Sequence, residues 1–133
     1  MFVCRYNRYR SKVAEALFNK YKTKKRLKAL SGGIQLDFVN PNVAESVKKV
    51  LAERKTEVSN EKSIQLDNAM IMWANLVVIV ADDVESELFE KYKKKIERWE
   101  IPDENQENIQ GIEKGIERIA IKVRSLITKL EKN

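Results

Sequence analysis

The chain has 133 residues, of which 43% are hydrophobic and 35% are charged, and it carries a formal net charge of +6. This length and composition predict one globular domain over residues 1–133 and exclude a disordered chain. The single cysteine and the absence of histidine exclude an internal disulfide and a Cys/His metal site, and no apolar run approaches the roughly 18 residues of a membrane helix.

The positive charge is concentrated near the start of the chain. Residues 1–28 contain ten basic side chains and one acidic, whereas the remaining residues contain 16 basic and 19 acidic. This end is expected to attract anions. The lysines between Lys20 and Lys28 are equally consistent with a solvated helix end, and no nucleic-acid motif accompanies them, so nucleic acid is not an expected partner. The first residues lack a signal-peptide pattern, and we predict a cytoplasmic protein without a membrane partner.

The first half of the chain alternates strand and helix signals. Residues 1–4 form a short apolar strand candidate, and apolar residues at helical spacing predict a helix over 11–24. Residues 26–31 predict a second strand, closed by the Gly32-Gly33 pair. A second helix is predicted over 41–54, with proline in its first turn, where the missing N–H does no harm.

The second half continues the alternation. Residues 63–74 fit a short helix or an irregular segment, and LVVIVA at 76–81 predicts a buried strand at the sheet centre or beside it. A helix over 84–92, an edge strand over 95–101 and a long helix carrying apolar residues over 109–130 follow. Strands that alternate with helices predict an α/β fold, a four-stranded, doubly wound parallel sheet with helices on both faces.

In such a sheet the turn after the first strand usually supplies the ligand site. Here that turn reads CRYNRYRS: Cys4 leaves the strand, five residues intervene, and Arg10 and Ser11 open the helix. The backbone N–H groups of the loop can converge on an anion at the helix N-terminus. The helix dipole and nearby cations favour the thiolate of Cys4, the planar fork of Arg10 suits two phosphate oxygens, and Ser11 can donate its hydroxyl to the sulfur.

The stretch FVCRYNRYRSKVAEALF resembles the low-molecular-weight protein tyrosine phosphatases. Their signature is a Cys, five residues and an Arg-Ser at the end of the first strand, followed by a helix containing Ala-Glu. Four further segments resemble the family in the same order, namely ALSGGI, NVAESVKKVLAER, ANLVVIVADD and WEIPDENQEN. The resemblance covers nearly the whole chain. It implies the family's flavodoxin-like fold and hydrolysis of phosphotyrosine or another aryl phosphate through a phosphocysteine intermediate.

The resemblance also implies roles for individual residues. Cys4 is the expected nucleophile, Arg10 the ligand of the phosphate and transition state, and Asp103 the general acid and then base. The expected substrate-binding residues all lie in the loop, and they are Arg5, Tyr6, Asn7, Arg8, Tyr9 and Ser11. No metal or other cofactor is expected. The expected substrate is a phosphotyrosine protein or small aryl phosphate, and the product is inorganic phosphate.

The chain departs from the family pattern at several positions. Tyr6 stands where the family usually has glycine, and Tyr9 stands where it often has a second cysteine. Glu104 replaces the usual proline after the general acid, and no tyrosine pair follows it. Tyr6, Tyr9 and Trp99 are therefore candidates for the substrate-binding rim. With no histidine in the chain, any family histidine that braces Asn7 must be replaced by another group.

Alternatives remain open at this stage. Cys4 could be a small buried residue at a strand end, and Asp103 could be an ordinary acid at a helix entry. Four rival acids are Glu104, Glu107, Asp82 and Asp83. The whole domain could be a non-catalytic phosphate-binding module, or an arsenate reductase that uses an external thiol because the chain has no second cysteine.

Overall fold

Four parallel strands form one sheet in a computed structural model that describes residues 1–132. They are β1 (Phe2–Cys4), β2 (Ser31–Gly33), β3 (Leu76–Val80) and β4 (Lys95–Trp99), in the spatial order β2-β1-β3-β4. Every neighbouring pair is parallel. β3 lies inside the sheet and β4 at its edge, which confirms the predicted α/β, doubly wound sheet. Assignment of residues 1–133 to one domain stays a prediction, and residue 133 lies outside the described residues.

The helices cover both faces of the sheet. They are α1 (Arg10–Tyr21), α2 (Glu45–Glu53), α3 (Asn68–Trp73) and α4 (Ile109–Glu131), with a 3₁₀ helix at Ser86–Tyr92. One apolar cluster joins α1, α2 and α4 to one face, and a second joins α3 and the 3₁₀ helix to the other. No helix within residues 1–132 combines the length and the apolar character needed to cross a bilayer.

Alternating side chains of β3 divide between these two clusters. Val78 and Val80 belong to the first cluster, whereas Val77 and Ile79 belong to the second. All four are buried, and burying one such side chain contributes about 1.5–3 kcal/mol to folding. A strand covered on both faces explains why 76–81 reads as a continuous apolar run rather than an alternating one.

The second strand differs from its predicted position at residues 26–31. The ladder pairs Phe2 with Ser31 and Cys4 with Gly33, so both glycines lie inside β2. A Cβ atom on Gly33 would lie 2.8 Å from the carbonyl carbon of Tyr6 and 2.9 Å from the amide nitrogen of Asn7. Gly33 therefore marks a close approach between β2 and the loop after β1, and the glycine pair is not a turn that closes the strand.

The helix boundaries also differ from the predictions. α1 ends at Tyr21, three residues before the predicted end, and α2 begins at Glu45 rather than at Pro41. Residues before α2 pair with a later segment instead, since the Val43 N–H donates to Glu61 O at 2.8 Å. The uncertain segment 63–74 contains a helix only from Asn68, and 84–92 forms a 3₁₀ helix rather than an α-helix.

Candidate active site

The loop after β1 places Cys4 against the N-terminus of α1. The Ser11 hydroxyl lies 2.9 Å from Cys4 Sγ, and the Ser11 backbone N–H donates to the same sulfur at 3.4 Å. Tyr9, which precedes the helix, makes no side-chain capping bond. The positive end of the α1 dipole therefore faces the sulfur.

Asn7 holds the loop in shape from inside. It has a φ of 55°, a left-handed conformation that asparagine tolerates. Its amide donates to Ser11 Oγ at 2.7 Å and to Ser31 Oγ at 3.0 Å, and its Oδ1 accepts from the Ile64 N–H at 2.8 Å. A backbone amide and the Ser31 hydroxyl thus brace Asn7 in a chain without histidine.

The hydrogen-bond chain continues to a buried carboxylate behind the loop. Ser31 donates to Glu15 Oε1 at 2.5 Å, and Ser59 donates to Glu15 Oε2 at 3.1 Å. The sequence analysis did not find this extension. Glu15 stood in the Ala-Glu signature of the resemblance, but Ser31 and Ser59 come from distant segments and carry no local signal.

Tyr6 is accommodated without backbone strain where the family usually has glycine. Among the described non-glycine residues, only Asn7, Lys55 and Lys93 have a positive φ. Tyr6 therefore keeps an ordinary backbone, and its half-buried side chain lines the cavity in front of Cys4. Gly33, on the neighbouring strand, leaves the space that this loop path requires.

Tyr9 anchors the loop to α4. It is only 6% exposed, and a Cβ atom on Gly115 would lie 1.7 Å from its hydroxyl oxygen. Burial, followed by the negative charge of Glu104, raises the pKa of Tyr9 to about 12. Trp99, the other rim candidate, is 3% exposed and packs against Phe2 in the core. The proposal of Trp99 as a rim residue is therefore wrong, because its side chain fills the sheet face at the end of β4.

Arg10 is a buried guanidinium held by acids at the carboxyl edge of the sheet. It is 1% exposed, and its Nη1 donates to Ile101 O at 2.8 Å. Its Nη2 donates to Asp83 Oδ1 at 3.0 Å. Asp82 Oδ1 lies 3.5 Å from Nη1, and Asp103 Oδ1 lies 3.9 Å from Nε. A buried charge requires such acidic and carbonyl partners, and these contacts fix the plane of the Arg10 guanidinium.

The other two loop arginines have different surroundings. Arg5 pairs with Asp83 at 3.3 Å and does not line the cavity. Arg8 donates to Asn42 O at 2.9 Å and to Gln106 Oε1 at 3.3 Å. Both of these partners are neutral, and the carboxylate that interacts with Arg8 is Asp37, whose pKa is lowered first by hydrogen bonds from Asn40 and also by the positive charge of Arg8.

These elements enclose a cavity of about 290 Å³, the active-site cavity. It is lined by Cys4, Tyr6, Arg8, Tyr9, Arg10, Asp37, Ala44, Val47, Asp103, Glu104, Asn105, Gln106 and Ile112. Asn7 and Ser11 support it from behind. Of the five acids considered from the sequence, only Asp103 and Glu104 line the cavity. The sequence analysis missed Asp37, Gln106 and the apolar wall of Ala44, Val47 and Ile112, because no local signal assigns these side chains to the cavity.

The two cavity acids are placed differently. The Asp103 side chain is 47% exposed, and its Oδ1 accepts the Glu104 N–H at 2.9 Å. Glu104 Oε1 is occupied by the Asn108 amide at 2.8 Å. Asp103 is thus the more exposed acid, and it shares the cavity with the Cys4 sulfur and the Arg10 guanidinium. Within residues 1–132, no three Cys, Asp or Glu side chains are grouped so that they could hold a metal ion.

The comparisons with known proteins cover nearly the whole chain or all of it. A family model described as low molecular weight phosphotyrosine protein phosphatase matches residues 1–133. An arsenate reductase from Archaeoglobus fulgidus is 26% identical, with 96% of this chain and 97% of that chain covered and a TM-score of 0.75. The YwlE arginine phosphatase from Geobacillus stearothermophilus is 25% identical, with 98% and 91% covered and a TM-score of 0.81.

A third structure supports the fold alone. Wzb from Vibrio vulnificus in complex with benzylphosphonate is 19% identical, with 96% of this chain and 95% of that chain covered and a TM-score of 0.82. A search of curated protein sequences gives no significant match.

Proposed function

Because the chain belongs to the low molecular weight phosphotyrosine protein phosphatase family, we propose that it hydrolyses phosphotyrosine or another aryl phosphate through a phosphocysteine intermediate. The observation that carries the proposal is the convergence of Cys4, Arg10 and Asp103 on one cavity. Ser11 supports it by contacting the sulfur through both its hydroxyl and its backbone N–H. The expected substrates are phosphotyrosine proteins or small aryl phosphates.

In the first step, the Cys4 thiolate attacks phosphorus in line with the departing phenolate. The sulfur–phosphorus bond forms as the phosphorus–oxygen bond breaks, and Asp103 gives its proton to the phenolate oxygen. The loop N–H groups and the Arg10 fork stabilise the equatorial oxygens, where the negative charge of the transition state spreads. The step ends with phosphocysteine and a neutral phenol.

In the second step, a water molecule attacks the phosphocysteine. The ionised Asp103 accepts a proton from this water, the sulfur–phosphorus bond breaks, and Cys4 leaves as the thiolate. Ser11 again donates to the sulfur, now as a leaving group. Inorganic phosphate is the product, and these steps use only backbone and side-chain groups of this chain, the substrate and water.

The cavity walls supply apolar surface for an aryl group, from Tyr6, Val47 and Ile112. A relative is named as an arginine phosphatase. Arg8 would repel the guanidinium of phosphoarginine, whereas the acids of the same cavity, Asp37, Asp103 and Glu104, would attract it. Because of the apolar wall, we propose aryl phosphate rather than phosphoarginine as the substrate.

A panel of three reactions tests this function on the purified protein. Hydrolysis of a phosphotyrosine peptide is expected to exceed that of a phosphoarginine peptide in kcat/KM. Arsenate with an external dithiol is expected to give no arsenite, because the proposed reaction is a hydrolysis in which Cys4 is never oxidised. Phosphate binding without turnover of any substrate would assign a non-catalytic module, and faster arsenate reduction would assign the reductase.

The Arg8→Gln variant is expected to change substrate preference. Removing the positive charge should raise kcat/KM for phosphoarginine relative to phosphotyrosine about tenfold, which corresponds to about 1.4 kcal/mol. Lys28→Gln is the matched control, because it makes the same charge change at an exposed site outside this cavity. An unchanged ratio in Arg8→Gln, or an equal change in Lys28→Gln, contradicts the role of Arg8.

The Arg10→Lys variant is expected to lose about 10²-fold or more in kcat. Lysine keeps the charge but lacks the planar fork, so it cannot contact Asp83 and the Ile101 carbonyl while gripping two phosphate oxygens. Steady-state kinetics on a phosphotyrosine peptide measure the loss. A loss below about tenfold, or about 1.4 kcal/mol, would mean that Arg10 acts only as a positive charge.

A further inference from the structure

A second cavity opens at the end of the sheet opposite the active-site cavity. Its volume is about 470 Å³, which lies within the roughly 300–1,000 Å³ of small-molecule sites. Phe2 and Leu76, the first residues of β1 and β3, line it, so we call it the amino-edge cavity. Among the described residues, none lines both cavities. The proposed phosphatase reaction therefore gives the amino-edge cavity no role.

The wall of the amino-edge cavity is apolar surface that the fold leaves incompletely covered. The buried part of the wall includes Phe2 and Phe18, whose ring centroids are 5.8 Å apart. The remainder includes Leu27, Leu76 and Leu130, which pack against the core and yet are only partly buried. Covering this remaining surface with an apolar ligand is favourable, because it removes the surface from water.

Trp73 supplies an aromatic ring to the same wall. It is the last residue of α3, and it is 45% exposed although it lines the cavity. The other tryptophan, Trp99, is 3% exposed and lies in the core. Aromatic rings pack favourably against one another in offset and edge-to-face arrangements. The exposed face of Trp73 therefore suits a ligand that carries an aromatic ring.

The charged side chains of the amino-edge cavity are both cationic. Arg26 and Lys28 line it, and no acidic side chain of the described chain does. Arg26 Nη2 donates to Leu130 O at 3.3 Å, which holds the guanidinium beside the apolar wall. Glu131 is close in sequence to this wall, but its Oε2 accepts two backbone N–H groups of the loop after α1 at 2.7 and 2.9 Å. The cavity therefore presents positive charge, which attracts an anion.

We propose that the amino-edge cavity is a second binding site, and that its ligand is an aromatic organic anion. The rings of the ligand contact Trp73 and the leucines of the wall, and its acidic group faces Lys28 and Arg26. The proposal does not depend on the phosphatase reaction, because the two cavities lie at opposite edges of the sheet. The aromatic body and the charge contribute separately to affinity, so each is tested with its own probe and variant.

Two fluorescent probes separate the charge from the rings. The first, 8-anilinonaphthalene-1-sulfonate, is an aromatic anion whose fluorescence rises when it leaves water, and we expect one molecule to bind saturably to each folded chain. The second, N-phenyl-1-naphthylamine, has the same rings without the sulfonate, and it is expected to bind about tenfold more weakly. Failure of the sulfonate to bind saturably, or equal affinities of the two probes, overturns the proposal.

The Lys28→Glu variant tests the charge of the cavity. It is expected to weaken binding of the sulfonate about tenfold and to change binding of the neutral probe less than about twofold. Lys25→Glu is the matched control, because Lys25 is exposed on the same loop and does not line the cavity. The control is expected to bind both probes like the wild-type protein. Unchanged binding in Lys28→Glu, or an equal loss in Lys25→Glu, contradicts the assigned site.

The Trp73→Ala variant tests the aromatic contact. It is expected to weaken both probes about tenfold, whereas Met72→Ala, which truncates a 62% exposed side chain of the same helix outside the cavity, is expected to have no effect. Circular dichroism checks the fold, because the sulfonate also binds loosened proteins. If Trp73→Ala does not fold, Lys28→Glu decides, since Lys28 is exposed. Unchanged binding in folded Trp73→Ala, with displacement of the sulfonate by inorganic phosphate, would place the probe in the active-site cavity and overturn the proposal.

Discussion

The Cys4→Ser variant is expected to lose turnover of phosphotyrosine entirely and to keep its affinity for phosphate and vanadate. A serine hydroxyl stays protonated at neutral pH and is a much weaker nucleophile than a cysteine thiolate. The groups that bind the anion, the loop N–H groups and Arg10, are untouched by the change. This variant should therefore lose turnover while it keeps its binding of phosphate and vanadate.

Two measurements check this expectation. Initial rates on a phosphotyrosine peptide should fall below the detection limit, and the dissociation constant for vanadate should stay within about threefold, or about 0.65 kcal/mol. The variant is expected to fold, because serine is smaller than cysteine and Ser11 supplies hydrogen-bond partners at its position. Measurable turnover that follows the wild-type pH profile would contradict the phosphocysteine mechanism.

The loop and the central strand were predictable from the sequence because their signals are local. The spacing from Cys4 to Arg10 places a candidate nucleophile and a phosphate-binding guanidinium on the same loop. The unbroken apolar run from Leu76 identifies a strand that is covered on both faces. The stripe of isoleucines in α4 is equally local. In these segments, neighbours in the sequence largely determine the conformation.

The position of β2 was not predictable in the same way. Glycine pairs usually mark turns, and the sequence alone does not show that Gly33 lies against the backbone of Tyr6 and Asn7. The same holds for the brace of Asn7, whose partners Ser31 and Ile64 come from distant segments. Such features depend on which segments meet in the folded chain.

The residues around the cavity also combine features that the local sequence predicts with features that depend on distant segments. A tryptophan at the end of an edge strand is compatible with a surface or a core position, and only packing against Phe2 places Trp99 in the core. Arg8 was predicted as a binding residue from its place in the loop. Its neutral partners were not predictable, because Asn42 and Gln106 belong to other loops.

The Asp103→Asn variant is expected to slow hydrolysis of phosphotyrosine about 10²–10⁴-fold, the usual range for loss of a general acid. Asp103 follows β4 at the same edge of the sheet as the loop of Cys4, and it lines the same cavity. The phenolate of tyrosine is a poor leaving group and needs the proton. Asparagine keeps the size of the side chain but cannot deliver a proton, so one limb of the pH–rate profile should also flatten.

The dependence of the rate on the leaving group distinguishes proton donation by Asp103 from a structural role. For 2,4-dinitrophenyl phosphate, whose leaving group is already a stable anion, the rate of the first step should change little in Asp103→Asn. Asp82 and Asp83 bind Arg10 instead of lining the cavity. Their asparagine variants should therefore slow both substrates by similar factors, because they disturb the phosphate-binding fork and not proton transfer.

Glu104 is the decisive control, since it lines the cavity beside Asp103 and carries the same charge. Its carboxylate already accepts from the Asn108 amide, so Glu104→Gln is expected to keep most of the activity on both substrates. Burst-phase kinetics on each variant separate phenol release from hydrolysis of phosphocysteine. If Asp103→Asn behaves like the wild-type protein on both substrates while Glu104→Gln shows the leaving-group dependence, Glu104 is the general acid and the assignment of Asp103 is wrong, even though Cys4 and Arg10 keep their roles.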